Sequence, residues 1–213
     1  TMSWSEGALV EPLAVSVHGL RTGQIKGGDN VAILGAGTIG LTAVAAAKKL
    51  GAGKIFVTAK HPQQAEMAKT LGADYTADPS DGSFEEMLLD MTNGRGADLT
   101  VETVGGSRND SLIQSIEVTR KQGRIVILGV FYGDLAINWA RPILKELNIQ
   151  GSICYGLIDG VHDFEQSIEM FSDNDFNLSE IVTHSYDLEN IQKGFETAYD
   201  KNTGSIKVHI MQK

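Results

Sequence analysis

Cysteine is almost absent from this sequence: Cys154 is the only one in 213 residues. That excludes an internal disulfide and any zinc site built on several cysteines. Proline is scarce, at four residues, and Pro12 falls in an apolar stretch, where it is expected to bend a helix or start a new one after Val10. Positive charge is in deficit, 18 Lys and Arg against 27 Asp and Glu, for a net charge of −9. Such a surface argues against nucleic acid or an anionic membrane as the main partner. No apolar run approaches the ~20 residues of a membrane span, and the chain opens on no basic-then-apolar leader. A soluble cytoplasmic protein is the default expectation, with one good core, or one domain and part of another.

What is present is ordinary globular composition, 42% apolar and 21% charged, with 24 glycines that suit an α/β fold of many short turns. Residues 5–22 read as largely helical and apolar, so they should be buried against something. From Asn30 the pattern alternates. Strands are expected at 30–34, 54–58, 74–77, 98–102, 123–128 and 149–153, and helices at 38–50, 62–71, 83–92, 108–120 and 141–146. Six strands with intervening helices predict a doubly wound, parallel six-stranded sheet of Rossmann type. After Gly151 the rhythm changes: a helix over 160–173, a short strand over 181–186, a helix over 188–199 and an alternating strand over 205–211. Those last strands need a second sheet, and the chain supplies too few strands to build one. The expected division is a helical segment at 1–22, a dinucleotide-binding domain at 23–160, and a segment at 161–213 that finishes it and returns to a catalytic domain.

The most informative stretch runs from Val31 to Gly40, a strand entering Gly35-x-Gly37-x-x-Gly40 and then a small-residue helix. This is the dinucleotide-binding fingerprint in its proper setting. Gly35 permits the tight turn, Gly37 lets backbone approach a pyrophosphate, and Gly40 lets helix and strand pack closely. Thr38, Ile39 and Gly40 open a helix whose unpaired N–H groups face the phosphates. About 20 residues on, where an NAD site usually places an acidic residue, stand Ala59 and Lys60. A carboxylate there repels a 2′-phosphate; small-then-basic suits NADP, with NAD as the alternative. Lys60 would pair with the 2′-phosphate, and Thr58, His61 and Gln64 would hydrogen-bond to it. The competing reading is an ordinary strand-to-helix turn with a solvated lysine.

Further runs occur in order: Glu6 to Val15, containing Glu11-Pro12; Leu71-Gly-Ala-Asp74; Gly96-Ala-Asp98; Glu102-Thr-Val-Gly105; and Gly123 to Gly129. Together with the glycine loop, this set resembles the medium-chain dehydrogenase/reductase family, and within it the zinc-dependent polyol dehydrogenases for sorbitol, butanediol and threonine. The resemblance covers essentially the whole chain. It implies that a barrel-like domain carrying the Cys and His-Glu ligands of a catalytic zinc is missing, so the chain is expected to be a C-terminal portion of an enzyme, or a gene product that has lost its first half.

The same resemblance implies site roles. Glu11, costly on an apolar helix without a partner, would lie at the catalytic zinc of the complete enzyme. Val104, with Gly105 and Gly106, would run beside the cofactor ribose; Leu128, Gly129 and Val130 would offer backbone groups to the nicotinamide carboxamide. Tyr155 matches an aromatic near the substrate pocket, while Cys154 replaces an arginine of the sorbitol enzymes and puts sorbitol itself in doubt. Cys154 is expected to be a small buried hydrophobe, and His18, His162, His184 and His209 to be structural. The expected function is hydride transfer between a secondary alcohol or its ketone and NADP(H), in a homodimer or homotetramer, with the 213 residues alone binding cofactor weakly and turning over nothing. Two alternatives stay open: a zinc-free quinone or enone reductase of the same superfamily, and a non-catalytic nucleotide-binding module.

Overall fold

The computed structural model describes residues 2–173, 176 and 178–212. Helix α1 (Trp4–Thr22) leads into β1 (Val31–Leu34), α2 (Thr38–Lys49), β2 (Ile55–Thr58), α3 (Pro62–Thr70), β3 (Tyr75–Ala77) and α4 (Ser83–Met91). There follow β4 (Ala97–Glu102), α5 (Asp110–Val118), β5 (Thr119–Ile127), α6 (Ala140–Leu144) and β6 (Asn148–Gly151). The six strands form one sheet in the order β3-β2-β1-β4-β5-β6, with every pairing parallel. This is the doubly wound sheet expected from the sequence. Its order reverses between β1 and β4, the switch point where such folds bind ligands.

Strands covered on both faces read as continuous apolar runs, and β1 and β2 are buried throughout. Side chains alternate between the faces. Val31, Ile33, Ile55, Val57, Leu99 and Val101 join α1 and α2 in the larger core cluster. Ala32, Leu34, Phe56 and Ala97 meet Phe84 and Leu88 of α4 on the other side. β5 starts four residues before the expected 123. Its ladder with β4 slips between Ala97↔Thr119 and Leu99↔Arg124, and Gln122 inside the slip takes φ 57.

Pro12 does not break α1: the helix runs unbroken from a Ser3/Glu6 capping box to Thr22. An interior proline costs about 3 kcal/mol. Leu9, Leu13, Val17 and Leu20 are fully buried, and at ~1.5–3 kcal/mol for each such side chain packing outweighs the penalty. The expected burial of this helix is realised against α2 and the later α7.

Beyond β6, a short hairpin of β7 (Leu157–Ile158) and β8 (Val161–His162) precedes α7 (Asp163–Met170), so the expected helix over 160–173 is shorter. Asp163 is fully buried and anchors this region to α1. Arg21 Nη1 donates to its Oδ1 (2.5 Å), while His18 Nδ1 and the Gly156 amide lie 2.7 and 2.9 Å from Oδ2. Then come β9 (Val182–Asp187), α8 (Ile191–Tyr199) and β10 (Lys207–Met211). The two last strands pair with each other, in parallel, and α8 packs on both. The pair is a two-stranded sheet of its own, which answers part of the expected need for a second sheet.

Candidate functional site

The register of the sheet aligns the last residue of each strand in one row. Ala77 pairs with Thr58, Thr58 with Leu34, Leu34 with Glu102, Glu102 with Ile127, and Ile127 with Gly151. Each of these residues except Ala77 leads into a segment singled out in the sequence. Gly35 to Gly40 follow Leu34; Ala59, Lys60 and Gln64 follow Thr58; Val104 follows Glu102; Leu128, Gly129 and Val130 follow Ile127; Tyr155 lies beyond Gly151. Segments up to 120 residues apart in sequence (Gly35 to Tyr155) therefore emerge from one edge of one sheet.

At the centre of the row, Gly35 takes φ +99, a conformation that favours glycine, and its amide donates to Thr58 Oγ1 at 2.8 Å. Thr58 is itself buried, so its hydroxyl shapes the glycine loop. Gly40 permits no side chain: a Cβ there would lie 1.9 Å from the Gly35 carbonyl oxygen. At Gly37 a Cβ would meet nothing within 4 Å. The space above Gly37 is open, while the glycine at 40 is required by packing. Gly37 caps α2 without a side-chain hydrogen bond, and the first turn has no acidic residue. The amides of Thr38, Ile39 and Gly40 precede the first intrahelical bond, Leu41 N to Gly37 O, so they remain open donors at the positive end of the helix dipole. An open cradle lined by free amides fits a pyrophosphate.

Lys60 is exposed and Gln64 half-buried, at the start of α3, whose N-cap His61 makes no side-chain capping bond. The first turn of α3 also lacks an acidic residue. The pairing of Thr58 with Ala77, continued by Ala59 N donating to Ala77 O at 2.9 Å, brings Asp78 into the electrostatic reach of Lys60. The Ser80 hydroxyl and amide, with a smaller contribution from Lys60, hold the Asp78 carboxyl below its usual 3.8. It is therefore ionised at neutral pH and opposes part of the lysine's pull on an anion.

On the other side of the switch point, the 104–106 and 128–132 segments are laced together. Gly106 N donates to Val130 O (2.8 Å) and Tyr132 N to Gly106 O (3.0 Å). Thr103 Oγ1 donates to Leu34 O at 2.7 Å, tying this wall to the end of β1. Val104 and Val130 stand 57% and 56% exposed, two apolar side chains facing outward beside the strand ends. Leu128 is partly buried and packs on the core. Two residues not singled out for a site role organise this wall: Thr103, and Glu102, whose side chain is fully buried. The available signal was a carboxylate ending a buried strand three residues before paired glycines.

Tyr155 is 39% exposed and packs edge-on against Phe164, with ring centroids 5.0 Å apart. Cys154 contradicts expectation: it is exposed, at φ 55, in the loop beyond β6. β6 ends at Gly151 as an edge strand, so the loop that carries Cys154 has no neighbouring strand to cover it. Glu11 is exposed on α1, next to Pro12, whose carbonyl oxygen meets Thr42 in the first turns of α2. Among the described residues no group of three or more His, Cys, Asp or Glu side chains is placed to hold a metal. Glu11 alone supplies one carboxylate, a competent zinc ligand but fewer than the three protein ligands of a catalytic site. Of the histidines, His18 pairs with Asp163, His162 accepts from Phe164 N, His184 lies beside Thr183, and His209 is buried near Ser5.

Comparison with known proteins agrees with the fold. Residues 38–173, well over half of the chain, match the family model described as zinc-binding dehydrogenase. Sorbitol dehydrogenase of Bacillus subtilis (strain 168) is 31% identical over 99% of this chain and 58% of its own length. The structure of 2R,3R-butanediol dehydrogenase from Bacillus subtilis superposes with a TM-score of 0.85 at 29% identity, over 100% of this chain and 59% of that one. A dehydrogenase of Sinorhizobium meliloti 1021 solved with NADP bound gives a TM-score of 0.85 at 26% identity, over 97% and 59%. The chain thus spans a little over half the length of the relatives it matches. No helix of the described residues is long and apolar enough to cross a membrane. By its sequence match and its doubly wound sheet, the chain belongs to the zinc-binding dehydrogenase family.

Proposed function

We propose that these 213 residues are the cofactor-binding portion of a cytoplasmic alcohol or polyol dehydrogenase that uses NADP(H). The observation that carries this reading is the single row of strand ends, from which the glycine loop, Lys60, and the Val104 and Val130 walls all emerge. The open amides of Thr38, Ile39 and Gly40 would hold the pyrophosphate. Lys60 and Gln64, with the uncapped start of α3, would hold the 2′-phosphate, while the Thr58 hydroxyl keeps the glycine loop in shape. Val104, Gly129 and Val130 would form the surface on which the nicotinamide rests, fixing which of its faces meets the substrate. A nicotinamide cofactor held on these residues would supply reversible hydride acceptance from the carbinol carbon of a secondary alcohol, balanced by loss of the hydroxyl proton to give a ketone. Tyr155 would border the substrate.

In the complete enzyme Glu11 would serve as one ligand of a catalytic zinc whose other ligands lie outside these residues. Accordingly the 213 residues alone bind cofactor and oxidise no alcohol, and zinc-dependent alcohol oxidation by them would overturn this division. The assembly would be a homodimer or homotetramer. β6 has no neighbour on its outer side, and exposed Ile143, Leu144, Ile153 and Leu157 flank it in sequence, a liability for a lone edge strand.

Titration of the chain with NADPH and NADH tests the reading. NADPH is expected to bind at least tenfold more tightly. Tighter NADH would sink the 2′-phosphate assignment, and failure to bind either would sink the cofactor site.

A further inference from the structure

Glu102 ends β4 at the switch point with its side chain fully buried, a setting that leaves a carboxylate costly unless hydrogen-bonded. Its Oε1 accepts two amides, Val104 N at 2.8 Å and Gly105 N at 3.0 Å. Its main-chain oxygen accepts two more, Leu128 N at 2.8 Å and Gly129 N at 3.1 Å. One residue therefore holds four amides, two from each of the segments that flank the strand ends. The second carboxylate oxygen, Oε2, is buried without a hydrogen-bond partner. It lies against Gly129, where a Cβ would come within 2.3 Å of it. Bonds from N–H to a charged carboxylate are stronger than those to a neutral acceptor. A buried carboxyl oxygen without a partner, beside one that holds two amides, calls for an account.

We propose that Glu102 is the positioning residue of the nicotinamide-side wall: its buried carboxylate sets the 104–106 segment against Gly129 and thereby fixes the affinity for the nicotinamide half of the cofactor without touching the ligand. This inference rests on the cofactor reading above. The adenosine half would sit across the switch point, on the glycine loop and the Lys60 turn, beyond the four amides that Glu102 holds.

Binding of NADPH is compared with binding of ADP 2′-phosphate, which lacks the nicotinamide and its ribose, or of NADH with ADP should the chain prefer the unphosphorylated cofactor. Glu102→Gln keeps the shape and one acceptor oxygen while replacing the second. It is expected to weaken NADPH at least fivefold and to leave ADP 2′-phosphate within twofold. Glu102→Asp, which keeps the carboxyl group but shortens its reach to the Val104 and Gly105 amides, is expected to give the same selective loss and serves as the second variant should Glu102→Gln fold poorly. Equal loss of both ligands, or no loss of NADPH, would overturn the inference. A wild-type chain that held ADP 2′-phosphate as tightly as NADPH would overturn it as well, leaving the cofactor site standing. A wild-type chain that bound neither would remove the cofactor reading and this inference together.

Discussion

The hydroxyls of Ser16 and Thr42 lie 2.7 Å apart with both residues fully buried, and both reach the carbonyl oxygen of Ile39, at 3.0 and 2.9 Å. Thr42 Oγ1 also lies 3.2 Å from Pro12 O. This contact bolts α1 beneath the first turn of α2, so the proposed pyrophosphate cradle is braced from below. Ser16→Ala removes one hydroxyl but leaves Thr42 bonded to Ile39 O. It should cost about 1 kcal/mol of stability. Thr42→Val removes the one hydroxyl that lies within reach of Ser16 and of the Ile39 and Pro12 carbonyls and should cost about 1–3 kcal/mol. Urea denaturation of the two variants checks the order, and a larger loss for Ser16→Ala would contradict it.

The two glycines at 37 and 40 should respond differently to alanine. At Gly40 the new methyl collides with the Gly35 carbonyl, so Gly40→Ala should lower both the thermal midpoint and cofactor binding. At Gly37 the methyl enters open space at φ −76, and the helix loses about 1 kcal/mol or less from a poorer N-cap. Dinucleotide binding should nevertheless fall at least tenfold, because the methyl occupies ligand space. A Gly37→Ala chain that is stable and binds as wild type would place the pyrophosphate elsewhere.

Asp78 and Lys60 make an opposed pair at the expected 2′-phosphate. Asp78→Asn removes a negative charge and should tighten NADPH by a small factor, about twofold to threefold, as expected for solvent-exposed charges. NADH should change little. Paired fluorescence titrations at low and high salt read this directly, and the gain should shrink as salt screens the pair.

His209 gives the fold a defined acid sensitivity. Burial, and then the neighbouring Lys207 charge, lower its pKa from the usual 6.5, and its Nε2 has no partner. The unfolded chain takes up the proton near pH 6.5, before the folded chain does. Stability is therefore fully present above 6.5 and is lost as pH falls from there through the lower folded-state value. His209→Gln should flatten that part of the stability curve. Denaturation midpoints measured between pH 7.5 and 5 check it, and an unchanged slope would mean that another group is responsible.

The β1-α2-β2 unit was legible because its signals are local: an apolar run, glycines at fixed offsets, then small residues. The doubly wound parallel sheet followed from the right-handed crossovers of any such alternation, while its strand order carried no local mark. What the sequence did not disclose depends on contacts distant in the chain. Pro12 reads as a helix breaker until the burial of Leu9, Leu13 and Val17 is known. Cys154 reads as a core residue until β6 proves to be a short, uncovered edge. β9 and β10 read as strands without a sheet because their pairing with each other carries no local mark. The four-amide grip of Glu102 was hidden for the same reason, since two of its partners belong to the next strand's exit.

Helix α1 also has a consequence for synthesis. Its apolar side is covered by α2 and by α7, and α7 begins only at Asp163. A ribosome adding ~5–20 residues per second needs roughly 7–30 s to travel from the end of α1 to the start of α7. For that interval part of the α1 surface has no native cover, and a growing chain exposes it beside a half-finished sheet. Holding chaperones should meet the chain at this helix during that interval.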